Sequence, residues 1–172
     1  DPLYAWNASN SDYQWHLSNT GQNGSIIGHD INVRSVWDSY LGSGVTIGIV
    51  DDGLEVAHPD LAPNVNTAID HDWNDNSPHD PTPKRNRDDH GTSCAGVAAA
   101  RGNNSIGVTG AAPQASLVGL RLIAGDFTTA EEAEALAWQT DVIDISSNSW
   151  GEFDGGDDLY PLDPLVAAAF AH

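Results

Sequence analysis

The sequence predicts an α/β protein built on a parallel sheet, and three observations carry that prediction. Short runs led by Val, Ile or Leu recur at 45–50, 115–123 and 142–149, each of strand length. Between them lie stretches dense in alanine and other helix formers, at 91–100 and 128–139. Segments rich in Gly, Asn, Asp and Pro separate the runs. Strands that alternate with helices pair in parallel, since each crossover returns the chain in the same direction.

Taken in order, residues 1–43 are polar, turn-rich and aromatic, and read as an arm wrapped around a core of residues 44–172, with Trp6, Trp15 and Trp37 as anchors. Val33, Val36, Trp37 and Tyr40 recur at helical spacing and predict a short helix over 33–40. The strand at 45–50 ends abruptly in Asp51-Asp52-Gly53. Residues 62–89 carry many Asp, Asn and Pro with little apolar periodicity, and a loop of that length in a compact domain is functional or tied by ions. His90 opens a helix whose Gly91, Ala95, Gly96 and Ala98–Ala100 allow close approach to the sheet. A loop over 102–110 leads to the second strand. The helix at 128–139 is expected to start at Thr129, with Glu132 completing a capping box. The third strand and an acidic loop over 151–163 follow, and Pro164 sits in the first turn of a final helix over 164–171. No internal repeat or flexible linker divides the chain, which reads as one domain.

Composition narrows the function. The chain has 172 residues, enough for a substantial core, and a net charge of −19 from 25 acids against 6 Lys and Arg. Such a charge argues against nucleic acid as a partner and fits calcium and a cationic substrate. One cysteine, Cys94, leaves no internal disulfide framework. No stretch of eighteen apolar residues suggests a membrane span. Methionine is absent, so Asp1 is expected to be a processed or trimmed end.

The chemistry lies at the two junctions. Asp51 would stand at the carboxyl edge of a buried strand and His90 at the start of a helix. A carboxylate that orients an imidazole, and an imidazole that takes a proton from a nucleophile, are two members of a three-part set.

Four blocks appear in order: Ile49-Val50-Asp51-Asp52-Gly53-Leu54-Glu55 continuing to His58-Pro59-Asp60-Leu61; His90-Gly91-Thr92 with Cys94-Ala95-Gly96; Asn103-Asn104-Ser105-Ile106-Gly107-Val108; and Ser149-Trp150-Gly151. Over nearly the whole chain they resemble the subtilisin-like serine proteases. The doubled aspartate, Cys94 and Trp15-His16-Leu17 are similar to the kexin and furin branch, the proprotein convertases that cut after basic residues. The resemblance implies a three-layer α/β/α subtilisin-like fold, incomplete in this chain, because the family's later blocks with the nucleophilic serine and the oxyanion asparagine do not occur. Ser93 and Ser149 match neither.

The resemblance also distributes roles. Asp51 and His90 would be catalytic. Asp52, Asp88, Glu132 and Asp154 would receive basic side chains of a peptide, and Ser149, Trp150 and Gly151 would pair with its backbone. A first calcium site would take Asp60, the Asn104 side chain, the carbonyls of Gly102, Ile106 and Val108, and an oxygen from Asp1. A second would draw on Asp72, Asp75 and Asp80. Cys94 would be a buried free thiol with no catalytic role. The chain is thus expected to be the amino-terminal part of a secreted, calcium-dependent endopeptidase, cut or separated near His172. Its partners would be a basic peptide substrate, the carboxyl-terminal remainder carrying the serine, and a propeptide or chaperone. Two other readings stay open: a broad-specificity subtilisin-like protease, and a calcium-binding fragment without activity.

Overall fold

A computed structural model describes residues 14–75, 77–151 and 161–171, so the expectations placed on Asp1, Trp6 and Asp154 lie outside the described residues. Along the chain run β1 (Thr46–Asp51), β2 (His71–Asp72), α1 (His90–Ala99), β3 (Ser116–Arg121), α2 (Thr129–Leu136), β4 (Ile145–Asn148) and α3 (Pro164–Ala169). The strands form one sheet in the order β2-β3-β1-β4, and every pairing is parallel. Register places Asp51, the last residue of β1, beside Arg121, the last of β3, and Arg121 in turn beside Asp72 of β2. The carboxyl edge of the sheet therefore gathers three charged residues.

Alternation along the strands builds a layer on each face. Ile47, Ile49 and Leu117 point to one side and pack with Ala95 and Ala99 of α1, whose small side chains let helix and sheet approach. Val50, Val118 and Leu120 point to the other, where Ala135 of α2 covers them together with Trp138 and Trp150. Ala133 of α2 packs in turn against Val166 and Ala169 of α3. Helices on both faces of a parallel sheet give the three-layer α/β/α arrangement.

Several local expectations shift. Residues 33–40 form hydrogen-bonded turns rather than a helix: Trp37 is buried and its indole N–H donates to the Ala111 carbonyl at 2.8 Å, an anchor that takes precedence over helical spacing. Trp15 is 52% exposed and anchors nothing comparable, and Leu17 packs on Trp37 in its place. The capping box of α2 is Thr128 with Glu131, one residue earlier than expected: Glu131 N–H donates to the Thr128 hydroxyl and Thr128 N–H to the Glu131 carboxylate. That helix ends at Leu136, before Gln139, whose φ of 48° is left-handed. Within the long acidic loop, His71–Asp72 form β2, too short to give a periodic signal.

The same loop carries a buried, half-satisfied carboxyl. Asp70 accepts from Gly119 N–H through Oδ1, while Oδ2 is buried without a partner among the described residues. Burial pushes its pKa up to about 6, helped by the nearby Asp80 charge. A carboxyl whose folded pKa is raised costs stability above that value, and the cost fades as pH falls toward the ordinary carboxyl range. Asp70→Asn should therefore stabilise the chain by about 1–3 kcal/mol at pH 7.5 and lose that advantage by pH 4, as read from urea unfolding at both values.

Candidate active site

The site forms where the end of β1 meets the start of α1. Asp51 is 1% exposed, and its carbonyl accepts from Leu122 and Ile123 N–H. Its carboxylate lies 2.8 and 3.0 Å from Nδ1 of His90, and Oδ1 also accepts from Asp52 N–H at 2.8 Å. An ionised carboxylate only accepts, so Nδ1 carries the shared proton, and in the neutral imidazole Nε2 keeps its lone pair. The His90 side chain is 52% exposed, which keeps the imidazole open to a reacting group.

Two features bring the backbone that close. Gly91 has no room for a side chain: a Cβ there would lie 2.3 Å from the Gly53 carbonyl and 2.7 Å from Asp51 Cβ. Asp89, at the N-cap of α1, makes no side-chain capping bond, and the first amides of the helix are met by Asp52 instead. Asp52 Oδ1 accepts from Gly91 N–H at 2.8 Å and Oδ2 from His90 N–H at 3.2 Å. Unpaired amides at a helix start attract a carboxylate. Burial raises the Asp52 pKa even so, against the pull of those two amides.

Around this pair the remaining residues fall into place. The Trp150 indole N–H donates to the Val50 carbonyl at 2.8 Å, tying residues 149–151 to the end of β1, with Ser149 and Gly151 exposed beside it. Cys94, one helical turn after His90, has its sulfur 3.8 and 3.9 Å from the ring nitrogens. Burial pushes its thiol pKa up, so it stays protonated and unsuited to attack. The Ser93 hydroxyl donates to the Asp89 carbonyl and serves the helix backbone.

Other expected residues take different partners. Asp88 is buried and accepts from Arg121 Nη2 at 3.0 Å, so its carboxylate takes part in an internal ion pair. Glu132 is half-buried in the first turn of α2. The second metal set is divided. Asp72 accepts from Arg121 Nη1 at 3.0 and 3.2 Å and Asp75 lies 3.7 Å from the same nitrogen, whereas Asp80 pairs with Lys84. Among the described residues only Asp51, His90 and Cys94 bring three such ligand atoms within 4.8 Å of one another. In the first metal set, Asp60 meets Asn104 and Val108 through their N–H groups rather than their oxygens. Asp60, 3% exposed, accepts from Asn104 Nδ2 at 2.6 Å and Val108 N–H at 2.7 Å, and a Cβ on Gly107 would lie 2.1 Å from its Oδ2.

Arg121 is the residue that sequence reasoning missed. Its signal was a lone cation closing an otherwise apolar strand, Leu117 to Leu122, in a chain with only 6 Lys and Arg.

The hydrogen bond and charge of Asp51 raise the His90 pKa above its ordinary value of 6.5. The pair therefore stabilises the fold below that ordinary value, and its contribution is lost as pH rises through the raised one. Asp51→Asn should bring the His90 pKa down toward 6.5 in an NMR titration of the ring protons. An unchanged midpoint would mean that the contact does not exist in solution.

A model of the subtilase family matches residues 42–169. Neuroendocrine convertase 2 of Homo sapiens is 43% identical over 161 residues, covering 91% of this chain and 24% of that protein. The dibasic-processing endoprotease of Schizosaccharomyces pombe is 44% identical over 144 residues, covering 83% of this chain and 20% of that protein. The solved complex of the Aeromonas sobria serine protease and the chaperone superposes with a TM-score of 0.76 at 33% identity, over 92% of this chain and 28% of that one. This chain thus spans 20–28% of the length of these relatives. From the family match over most of its length, and from the similarity in fold and in sequence, it follows that the chain belongs to the subtilase family.

Proposed function

We propose that this chain supplies the acid and the base of a calcium-dependent serine endopeptidase that cleaves after basic residues, the serine coming from the carboxyl-terminal remainder. The observation that carries the reading is the contact of Asp51 with His90 Nδ1 at 2.8 and 3.0 Å, which assigns the accepting role to Nε2 of the neutral ring. In the complete protein the serine hydroxyl attacks the peptide carbonyl while Nε2 takes its proton. His90 then returns that proton to the leaving amine, and water releases the acyl group by the reverse path. Asp51 holds the tautomer and stabilises the imidazolium. Alone, the chain has a base but no nucleophile, and is expected to be inactive.

Specificity for basic residues is supported by the net charge of −19 and by similarity to a protein described as dibasic-processing. One observation favours a broader specificity: Asp52 and Asp88, two of the acids expected to receive basic side chains, already accept from internal donors. Glu132 and Asp154 stay assigned to that role, and Ser149–Gly151 to pairing with the substrate backbone. Turnover of dibasic against aliphatic peptides by the serine-bearing protein tests this; equal kcat/KM for both would leave a broad-specificity enzyme. Secretion, and a propeptide or chaperone partner, belong to the same reading; among the described residues no helix is long and apolar enough to cross a membrane.

Calcium is assigned to Asp60 with the Asn104 side chain and the carbonyls of Gly102, Ile106 and Val108. Carboxylate, amide and carbonyl oxygens are the donor set calcium takes. Turning the Asn104 amide over would present its oxygen where Nδ2 now meets Asp60. The ion, when bound, supplies positive charge that offsets the buried Asp60 carboxylate and fixes the loop. Calcium should therefore raise the melting temperature of the chain, and Asp60→Asn should abolish that rise. An equal rise in the variant would remove Asp60 from the site.

A further inference from the structure

We infer that Arg121 is the positioning residue of the Asp51–His90 pair, an assignment that rests on the peptidase reading for its catalytic meaning. Its guanidinium is 3% exposed and joins the two segments that carry the pair. Nε–H donates to the carbonyl of Asp52, next to Asp51, at 3.1 Å. Nη2 donates to Asp88, two residues before His90, at 3.0 Å. Asp52 then passes the constraint on, because its carboxylate accepts from the amides of His90 and Gly91. One planar cation thus fixes the end of β1 against the start of α1 by its side chain, while Asp52 fixes them by the backbone.

The third arm serves another purpose. Nη1 meets both oxygens of Asp72 in β2, at 3.0 and 3.2 Å, on the side away from β1. This pair ties the acidic loop to the sheet but touches neither segment of the site. The separation of the arms allows positioning to be told from general stabilisation. A lysine would keep the charge but could not hold these directions at once, since its donors radiate from a single nitrogen on a flexible stem.

The test follows the Nδ1 proton and the ring titration of His90 by NMR in the labelled chain and in three variants. Arg121→Lys should weaken or abolish the low-field Nδ1 proton signal and shift the His90 pKa down toward its ordinary value, because the raise depends on the Asp51 hydrogen bond. Asp88→Asn, which weakens one arm, should do the same to a smaller extent. Asp72→Asn should lower the melting temperature and leave both His90 signals in place. Wild-type signals in Arg121→Lys and Asp88→Asn together would overturn the proposal, as would Asp72→Asn moving them as far as Arg121→Lys. Should Arg121→Lys fail to fold, the contrast between Asp88→Asn and Asp72→Asn decides. In the serine-bearing protein, Arg121→Lys should reduce kcat about tenfold or more with little change in KM, since misplacement of a base acts on the chemical step. If the NMR contrast holds while the serine-bearing wild type cleaves no peptide, the peptidase reading fails and the positioning role stands.

Discussion

The structure depends on how tightly the start of α1 is seated on the end of β1. At Gly91 the two backbones are so close that a single methyl group would collide with the Gly53 carbonyl. Helix amides and a buried carboxylate meet across this junction, and the imidazole of His90 is delivered as a consequence. The distance from Asp51 to His90 is thus set by how the two main-chain segments are seated, which the buried side chains of Asp52 and Arg121 hold in place. A geometry fixed in this way does not drift with rotamer fluctuations of exposed groups, which is the condition for an acid to hold a base in one tautomer.

The same junction explains how so many acids coexist at one sheet edge. Asp51, Asp52, Asp72 and Asp88 are each at most 9% exposed. Buried charges of one sign repel strongly where water is excluded, so each needs its own donor. Asp51 has the imidazole and the Asp52 amide, Asp52 the helix start, and Asp72 and Asp88 the two arms of Arg121. Burial alone would weaken the charge on Arg121, but Asp88 and Asp72 more than offset it and raise its pKa. Part of the acidic excess is therefore internal, not a solvated surface.

The sequence made the fold and the acid–base pair legible because both depend on strong local signals. A β-branched run ending in Asp51-Asp52-Gly53 and a small-residue helix opening at His90 mark a strand and a helix locally, and their order with the two later blocks made them readable as a pair. What was not legible depends on partners far apart in the chain. Arg121 meets residues 33 to 69 positions away, so nothing adjacent to it announced that it would take up Asp72 and Asp88. The turns at 33–40 show the same limit: apolar spacing predicted a helix, whereas the bond from Trp37 to the distant Ala111 carbonyl decided the conformation. The α2 cap moved by one residue because Thr128 and Thr129 are followed three residues later by Glu131 and Glu132, an ambiguity that only geometry resolves.

The two edges of the His90 ring meet different surroundings. One edge of the ring faces a buried carboxylate that also accepts from the Asp52 amide, and the side chain as a whole remains half open. On the proposed peptidase reading a proton shuttle needs both conditions, since the anchored edge keeps the tautomer while the open edge would admit an alcohol, a leaving amine and a water in turn. The raised imidazolium pKa follows from that anchoring and has a cost: the free base becomes the main form only at a higher pH than for an unpaired imidazole. The same interaction that makes His90 a stronger base once the proton arrives also reduces its availability in acid. Asp51 therefore sets both the orientation of the base and the lower pH limit over which it can work.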